Sequence, residues 1–180
     1  YRAFAANLAK NGAAIVNFAE WAEYPQQRQG PMDMDMTHMQ AFDMTDPAVH
    51  NYVSQMCEEV HFYGSKIILT TSIAYPDGYS LYGGRGMGPH GKPTEKLPLD
   101  KIQETIDLTV AKIRRYKNLG YDGVSFRCDM LMAPGGVRDD QYDGGTVENR
   151  TRLFHELCVA MRRAFGQKFI IEAVLAWEQN

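Results

Sequence analysis

The chain has 180 residues and a mass of 20.4 kDa, with 44% hydrophobic and 23% charged residues, a formal net charge of -3 and a pI of about 6.0. That length can bury a real core as one domain. The mild acidity gives no footing for nucleic acid or an anionic membrane surface, and no apolar run approaches the ~20 residues of a membrane-spanning helix.

The chain opens on a helical pattern, "YRAFAANLAKN", rather than on a basic stretch followed by an apolar one. Cys57, Cys128 and Cys158 are scattered and odd in number, which suits reduced thiols better than a disulfide framework. A cytoplasmic location is expected. A short apolar run, "GAAIVNFA", follows the first helix and predicts a strand near residues 13–18. Asp46 and Pro47 then stand as N-cap and first residue of a helix, and Val49, Val53, Met56 and Val60 recur at helical spacing. "KIILTTSIA" predicts a strand at 66–72, and the Gly- and Pro-rich stretch after it predicts a loop. Leu99, Ile102, Ile106, Val110 and Ile113 mark a further amphipathic helix ending near Gly120. "DGVSFRCDM" predicts a strand at 123–127, Leu153, Leu157 and Met161 mark the last helix, and "KFIIEAVLA" predicts a strand at 168–174.

Helices alternating with strands that are apolar on both faces predict an α/β fold with a parallel sheet, either doubly wound or a (β/α) barrel. "GGRGMG" follows a tyrosine-rich loop and opens no helix, so a mobile loop is expected there rather than a dinucleotide fingerprint. "MDMDMTHM", Met32 to Met39, mixes hard and soft ligands in a way that suits no single common metal, and His38, His50, His61, His90 and His155 show no ligand spacing. No metal site is expected, and His50 and His61 are expected to face outward on the second helix.

The most specific stretch is "RDDQYDGGTVENRTRLF", Arg138 to Phe154. Arg138, Asp140, Tyr142, Gly144, Gly145, Thr146, Glu148, Asn149 and Arg150 resemble the hallmark of the old yellow enzyme family of NAD(P)H:flavin oxidoreductases, with Asp143 as one extra residue. Within that family the likeness is nearest to the branch of 2-enoate and 2,4-dienoyl-CoA reductases. "LGYDGVSF", "FIIEAVLA" and the first two helices with the strands after them extend the resemblance over most of the chain. It implies a segment of a (β/α)8 TIM barrel: residues 1–180 as one incomplete domain, without the first strand and the sixth to eighth. It also implies a motif that braces the loop after the fourth barrel strand. Arg138, Asp140 and Glu148 are expected to make local ion pairs or backbone hydrogen bonds, with Gly144 or Gly145 at positive φ.

The resemblance further implies FMN across the barrel mouth, NAD(P)H as reductant and a small-molecule substrate, with a homo-oligomer left open. Arg127 stands at the first of the family's two substrate-donor positions, and Met130 at the second. Thr70 stands for a flavin-binding glutamine, Val174 for a flavin-binding arginine, and Ala19 for the small residue against the flavin. Arg127 and Asp129 are thus the catalytic candidates, and Ala19, Thr70 and Arg127 the cofactor-binding ones. The expected activity is reduction of an activated alkene at an atypical site. The alternative is a flavin-less barrel serving as a binding or scaffold subunit; a lyase or isomerase using Arg127 with Asp129 or Glu172 is a third option. Alternation puts Ser125 and Arg127 on one face of their strand, toward the mouth, and Val124 and Phe126 on the other, toward the helices. The face of Glu172 is left open.

Overall fold

A computed structural model describes residues 1–19, 44, 46–84, 93–127 and 136–174. The elements run α1 (Arg2–Lys10), β1 (Ile15–Ala19), α2 (Pro47–Phe62), β2 (Lys66–Thr71), β3 (Tyr79–Ser80), β4 (Glu95–Lys96), α3 (Ile102–Asn118), β5 (Gly123–Arg127), α4 (Val147–Phe165) and β6 (Ile170–Val174). Local chemistry sets the helix starts. Asp46 is extended and accepts a hydrogen bond from the Ala48 amide at 2.8 Å, with Pro47 pre-set at the first helical position. Thr146 does the same for α4 through the Asn149 amide.

Four strands form one parallel sheet in the order β1-β2-β5-β6. Each expected strand is present. Val16, Phe18, Ile67 and Leu69 meet Ala5 and Ala9 of α1 and Val53, Met56 and Val60 of α2. Val124 and Phe126 meet Ile106 and Ile113 of α3 and Leu153, Leu157 and Met161 of α4. Leu69 is the register partner of Val124, so both clusters lie on one face of the sheet. All four helices cover that face, as a barrel requires and a doubly wound sheet forbids.

Two details differ from expectation. Leu99 is not part of the α3 stripe: it lies in a single 3₁₀ turn, Leu99–Lys101, and is half exposed. The buried face of α3 instead includes Thr105 and Thr109, whose hydroxyls bond back to the Lys101 and Thr105 carbonyls and so enter the core satisfied. The loop after β2 also contains a short parallel ladder, Tyr79 with Glu95 and Ser80 with Lys96. Two residues per strand give alternation nothing to show in the sequence.

The N-terminal edge of the sheet is sewn by Asp122. Its amide donates to the Ile67 carbonyl and its carbonyl accepts from the Ile170 amide. Its carboxylate accepts from the Ile67 amide at 3.0 Å, Lys66 Nζ at 2.9 Å and His61 Nε2 at 2.7 Å. His61 is exposed as expected, but it is engaged in this node. His50 also faces a partner, the Met44 carbonyl at 2.6 Å.

Candidate active site

Parallel strands bring their C-terminal ends to one edge, and the face away from the helices becomes the lining of that mouth. The register sets Ala19, Thr70, Ser125 and Glu172 in one row across all four strands. The next row toward the mouth pairs Arg127 with Val174. Thr70 Oγ1 donates to Asn17 Oδ1, one strand over on the same face. Ser125 is fully buried, and its Oγ has no hydrogen-bond partner among the described residues. Glu172 is exposed and alternates with Ile171, which packs on the helix-side core; it therefore shares the face of Thr70 and Ser125.

Val124 and Phe126 are where alternation put them, in the helix layer with no exposure. The structure pairs Ala19 with Thr70 and sets Thr70 beside the strand that carries Arg127. The side chains of Ala19 and Arg127 lie outside what is described, and Asp129, Met130, "MDMDMTHM" and Arg85–Gly88 of "GGRGMG" lie outside the described residues. Among the described residues no group of acids, histidines and cysteines could hold a metal ion. Sequence reasoning gave no role to Ser125, although alternation had put it on the mouth side. It left Glu172 open because "IIEAV" is apolar on both sides of the acid and gives period two nothing to choose between.

The motif after β5 is a brace. Arg138 is buried, and its Nε and Nη2 grip the Asp140 carboxylate at 2.9 and 2.6 Å. Its Nη1 donates to the Leu81 carbonyl at 2.5 Å and the Leu97 carbonyl at 2.8 Å. One guanidinium thus locks the loop after β5 to both flanks of the β3–β4 excursion after β2. The planar guanidinium, with five N–H donors, serves a carboxylate in a fork and two carbonyls at once. The Arg138 hydrogen bond, with the Tyr142 amide, holds the Asp140 carboxyl below the ordinary carboxylate range against partial burial. Tyr142 is buried and donates to Glu156 at 2.9 Å; burial and that carboxylate push its hydroxyl up. Arg150 donates through Nε and Nη2 to the Gly144 carbonyl.

Two expectations about the motif are corrected. Gly144 and Gly145 do not take positive φ; Gly136 does, at 79°. The turn needs no left-handed residue at the glycine pair because Asp143 folds it from the side chain. Its carboxylate accepts from the amides of Gly145 at 2.8 Å, Gly136 at 2.8 Å and Arg138 at 3.3 Å, and the Gly145 bond leads in holding it below the ordinary range. The extra residue relative to the hallmark is therefore the organising one. Glu148, expected in the brace, makes no side-chain hydrogen bond or ion pair with a described residue; it sits in the first turn of α4. Arg138 and Asp140 behave as expected.

No family model matches the chain. The NADPH dehydrogenase of Clostridium acetobutylicum is 27% identical over 130 residues, covering 64% of this chain and 38% of that protein. The cinnamate reductase of Clostridium sporogenes is 28% identical over 140 residues, covering 64% of this chain and 20% of that protein. The chain therefore spans well under half of either relative. In fold, the old yellow enzyme of Pichia sp. superposes with a TM-score of 0.67 at 17% identity, over 96% of this chain and 49% of that one. Morphinone reductase, solved with tetrahydroNAD, gives 0.66 at 18% identity, over 96% and 53%. The resemblance to the old yellow enzyme family holds in sequence and in fold, and the chain folds as a segment of that family's (β/α)8 barrel.

Proposed function

We propose that this chain is part of the barrel of an FMN-dependent NAD(P)H oxidoreductase that reduces an activated alkene or related small organic substrate. Residues 1–180 would form one incomplete domain of it. The observation that carries the reading is the hydroxyl-bearing row Ala19–Thr70–Ser125–Glu172 at the C-terminal edge of the sheet, with the Arg138 brace shaping the loops around it. The relatives named as an NADPH dehydrogenase and a cinnamate reductase support the same class.

The residues present fit a flavin. An orphaned buried hydroxyl at Ser125 can donate to a ring carbonyl, Thr70 offers an acceptor, and Ala19 is small enough to leave room for a flat ring. When bound, FMN supplies hydride transfer between nicotinamide and substrate. The protein's part is to bind, orient and polarise. Arg127 takes the substrate carbonyl or carboxylate, since a guanidinium is always charged and donates in a fork. Asp129 orients that guanidinium or serves as an acid.

The second reading, a flavin-less binding or scaffold subunit, draws on the β6 side of the mouth. Val174 offers no side-chain donor, and Glu172 puts a negative charge in the Thr70 row where reduced flavin is better served by a positive one. An absorbance spectrum of the full-length protein separates the two: flavin bands support the reductase, and a bare protein spectrum after incubation with FMN removes it. In the full-length protein Arg127→Ala is expected to abolish turnover while the fold stays intact. Unchanged turnover would take Arg127 off the catalytic set.

A further inference from the structure

Ser125 lies in the middle of β5 between Val124 and Phe126, whose side chains fill the helix-side core. Alternation turns Ser125 to the opposite face, where its register neighbours are Thr70 and Glu172. It has no exposure, and among the described residues its Oγ meets no hydrogen-bond partner. A buried hydroxyl left without a partner costs about 1–3 kcal/mol, and alanine would remove that cost while leaving the helix-side core untouched. Stability alone does not explain a serine here.

The neighbouring hydroxyl is in the opposite condition. Thr70 Oγ1 has given its proton to Asn17 Oδ1 and presents lone pairs only. Paired strands run ~4.8 Å apart, so the free donor of Ser125 and the acceptor of Thr70 can meet adjacent atoms of one small planar group. Glu172 adds a negative charge to the same row. That row is poorly suited to a carboxylate or phosphate and well suited to a group with N–H beside C=O.

We infer that Ser125 is a ligand-binding residue of the mouth: its hydroxyl donates to the carbonyl oxygen of a cyclic imide or amide whose N–H is accepted by Thr70. The pyrimidine edge of a flavin has that chemistry, so the inference rests on the reductase reading and assigns it a residue.

The test uses the full-length protein, stripped of flavin and titrated with FMN by quenching of flavin fluorescence, alongside thermal melts of the stripped form. Ser125→Ala is expected to weaken FMN binding about three- to tenfold, the worth of one hydrogen bond, with the melting temperature of the stripped form unchanged or raised. Ser125→Cys, similar in size but a poor donor, shifts binding the same way. Wild-type affinity in the alanine variant overturns the inference and leaves the reductase reading standing. A melting temperature lowered by about 5 °C or more also overturns it, by showing that the hydroxyl has a structural partner. Wild-type protein that takes up no FMN overturns the reductase reading and the role of Ser125 together.

Discussion

The two edges of the sheet each carry a charged node, and the nodes are built to different ends. At the N-terminal edge, Asp122 stands partly open to solvent, with Lys66 and His61 more exposed still. Its bonds run between β2, β5 and β6, so it fixes strands to strands. At the C-terminal edge, the Arg138 side chain is 1% exposed, and among the described residues its hydrogen bonds go to loops rather than to strands of the main sheet; it fixes loop to loop. The first arrangement is what a sheet needs to keep its register. The second has value only if the loops beyond the strands must hold one shape, which is the requirement of a binding mouth.

The largest effect is expected where a buried charge loses its counterpart. Arg138→Ala would leave the Asp140 carboxylate and the Leu81 and Leu97 carbonyls short of their donor, at about 3–5 kcal/mol. Urea unfolding measures it. A loss below about 1 kcal/mol would mean that the C-terminal node is no tighter than a surface pair, and the contrast between the edges would collapse.

A single methyl group tests the N-terminal edge nearly as severely. Gly120 leads into β5 with φ +115, and a Cβ there would lie 2.8 Å from the Cys57 Cβ on α2. Cys57 cannot retreat, since it is buried among core residues; burial, with Asp122 and Glu58 nearby, pushes its thiol up to about 12 and leaves it an inert packing group. Gly120→Ala is expected to cost about 2 kcal/mol from strain and overpacking together. A thermal melt equal to wild type would show that α2 is free to shift on the sheet.

Acid sharpens the comparison further. Burial raises the Asp122 carboxyl, but the Ile67 amide, Lys66 and His61 together outweigh it, and its net position is below the ordinary range. Asp140 is also lowered, chiefly by Arg138. Groups depressed by folding contribute fully above their unfolded range of about 4 and lose that contribution as pH falls through the folded values. Stability should therefore fall below about pH 4, and Asp140→Asn should flatten that fall more than Asp122→Asn. At neutral pH Asp122→Asn should cost only about 1 kcal/mol, because Lys66 and His61 are screened by solvent. Equal slopes in both variants would make the two nodes energetically alike.

The legible and illegible parts of the molecule divide along physical lines. Helices α2 and α4 and all four main strands follow from period 3.6, short apolar runs and one capping residue, Asp46, because those signals are local; that the helices cover one face only followed from the family resemblance, since alternation of helix and strand fits a doubly wound sheet as well. The Arg138–Asp140 pair followed from the motif. Its reach to Leu81 and Leu97 did not, since contacts 57 and 41 residues apart leave no periodic trace. The Asp143 turn was missed for a different reason: an inserted acid reads as tolerance in a loop, yet a carboxylate one residue before Gly144 can fold back on the amides around it. Ser125 was on the expected face, but whether a strand serine is satisfied depends on neighbours that only the register reveals.

Glu148 supplies the smallest and most discriminating test, because it separates membership of the motif from participation in the brace. It belongs to the same run of acids and arginines as Asp143, but it stands in the first turn of α4 without a side-chain partner among the described residues, while the Asp143 carboxylate takes three amides. What remains for Glu148 is the favourable end of the helix dipole, a term that is small at an exposed site and weakens with salt. Glu148→Gln should therefore change stability by less than about 0.5 kcal/mol, and the difference should shrink further in high salt. Asp143→Asn should be the more damaging of the two, since an amide keeps one acceptor oxygen where the carboxylate used both. The two variants, compared by urea unfolding at low and high salt, decide the point. If Glu148→Gln proves as costly as Asp143→Asn and equally indifferent to salt, the glutamate belongs in the brace after all, and the loop beyond β5 is held from its helix as well as from Arg138.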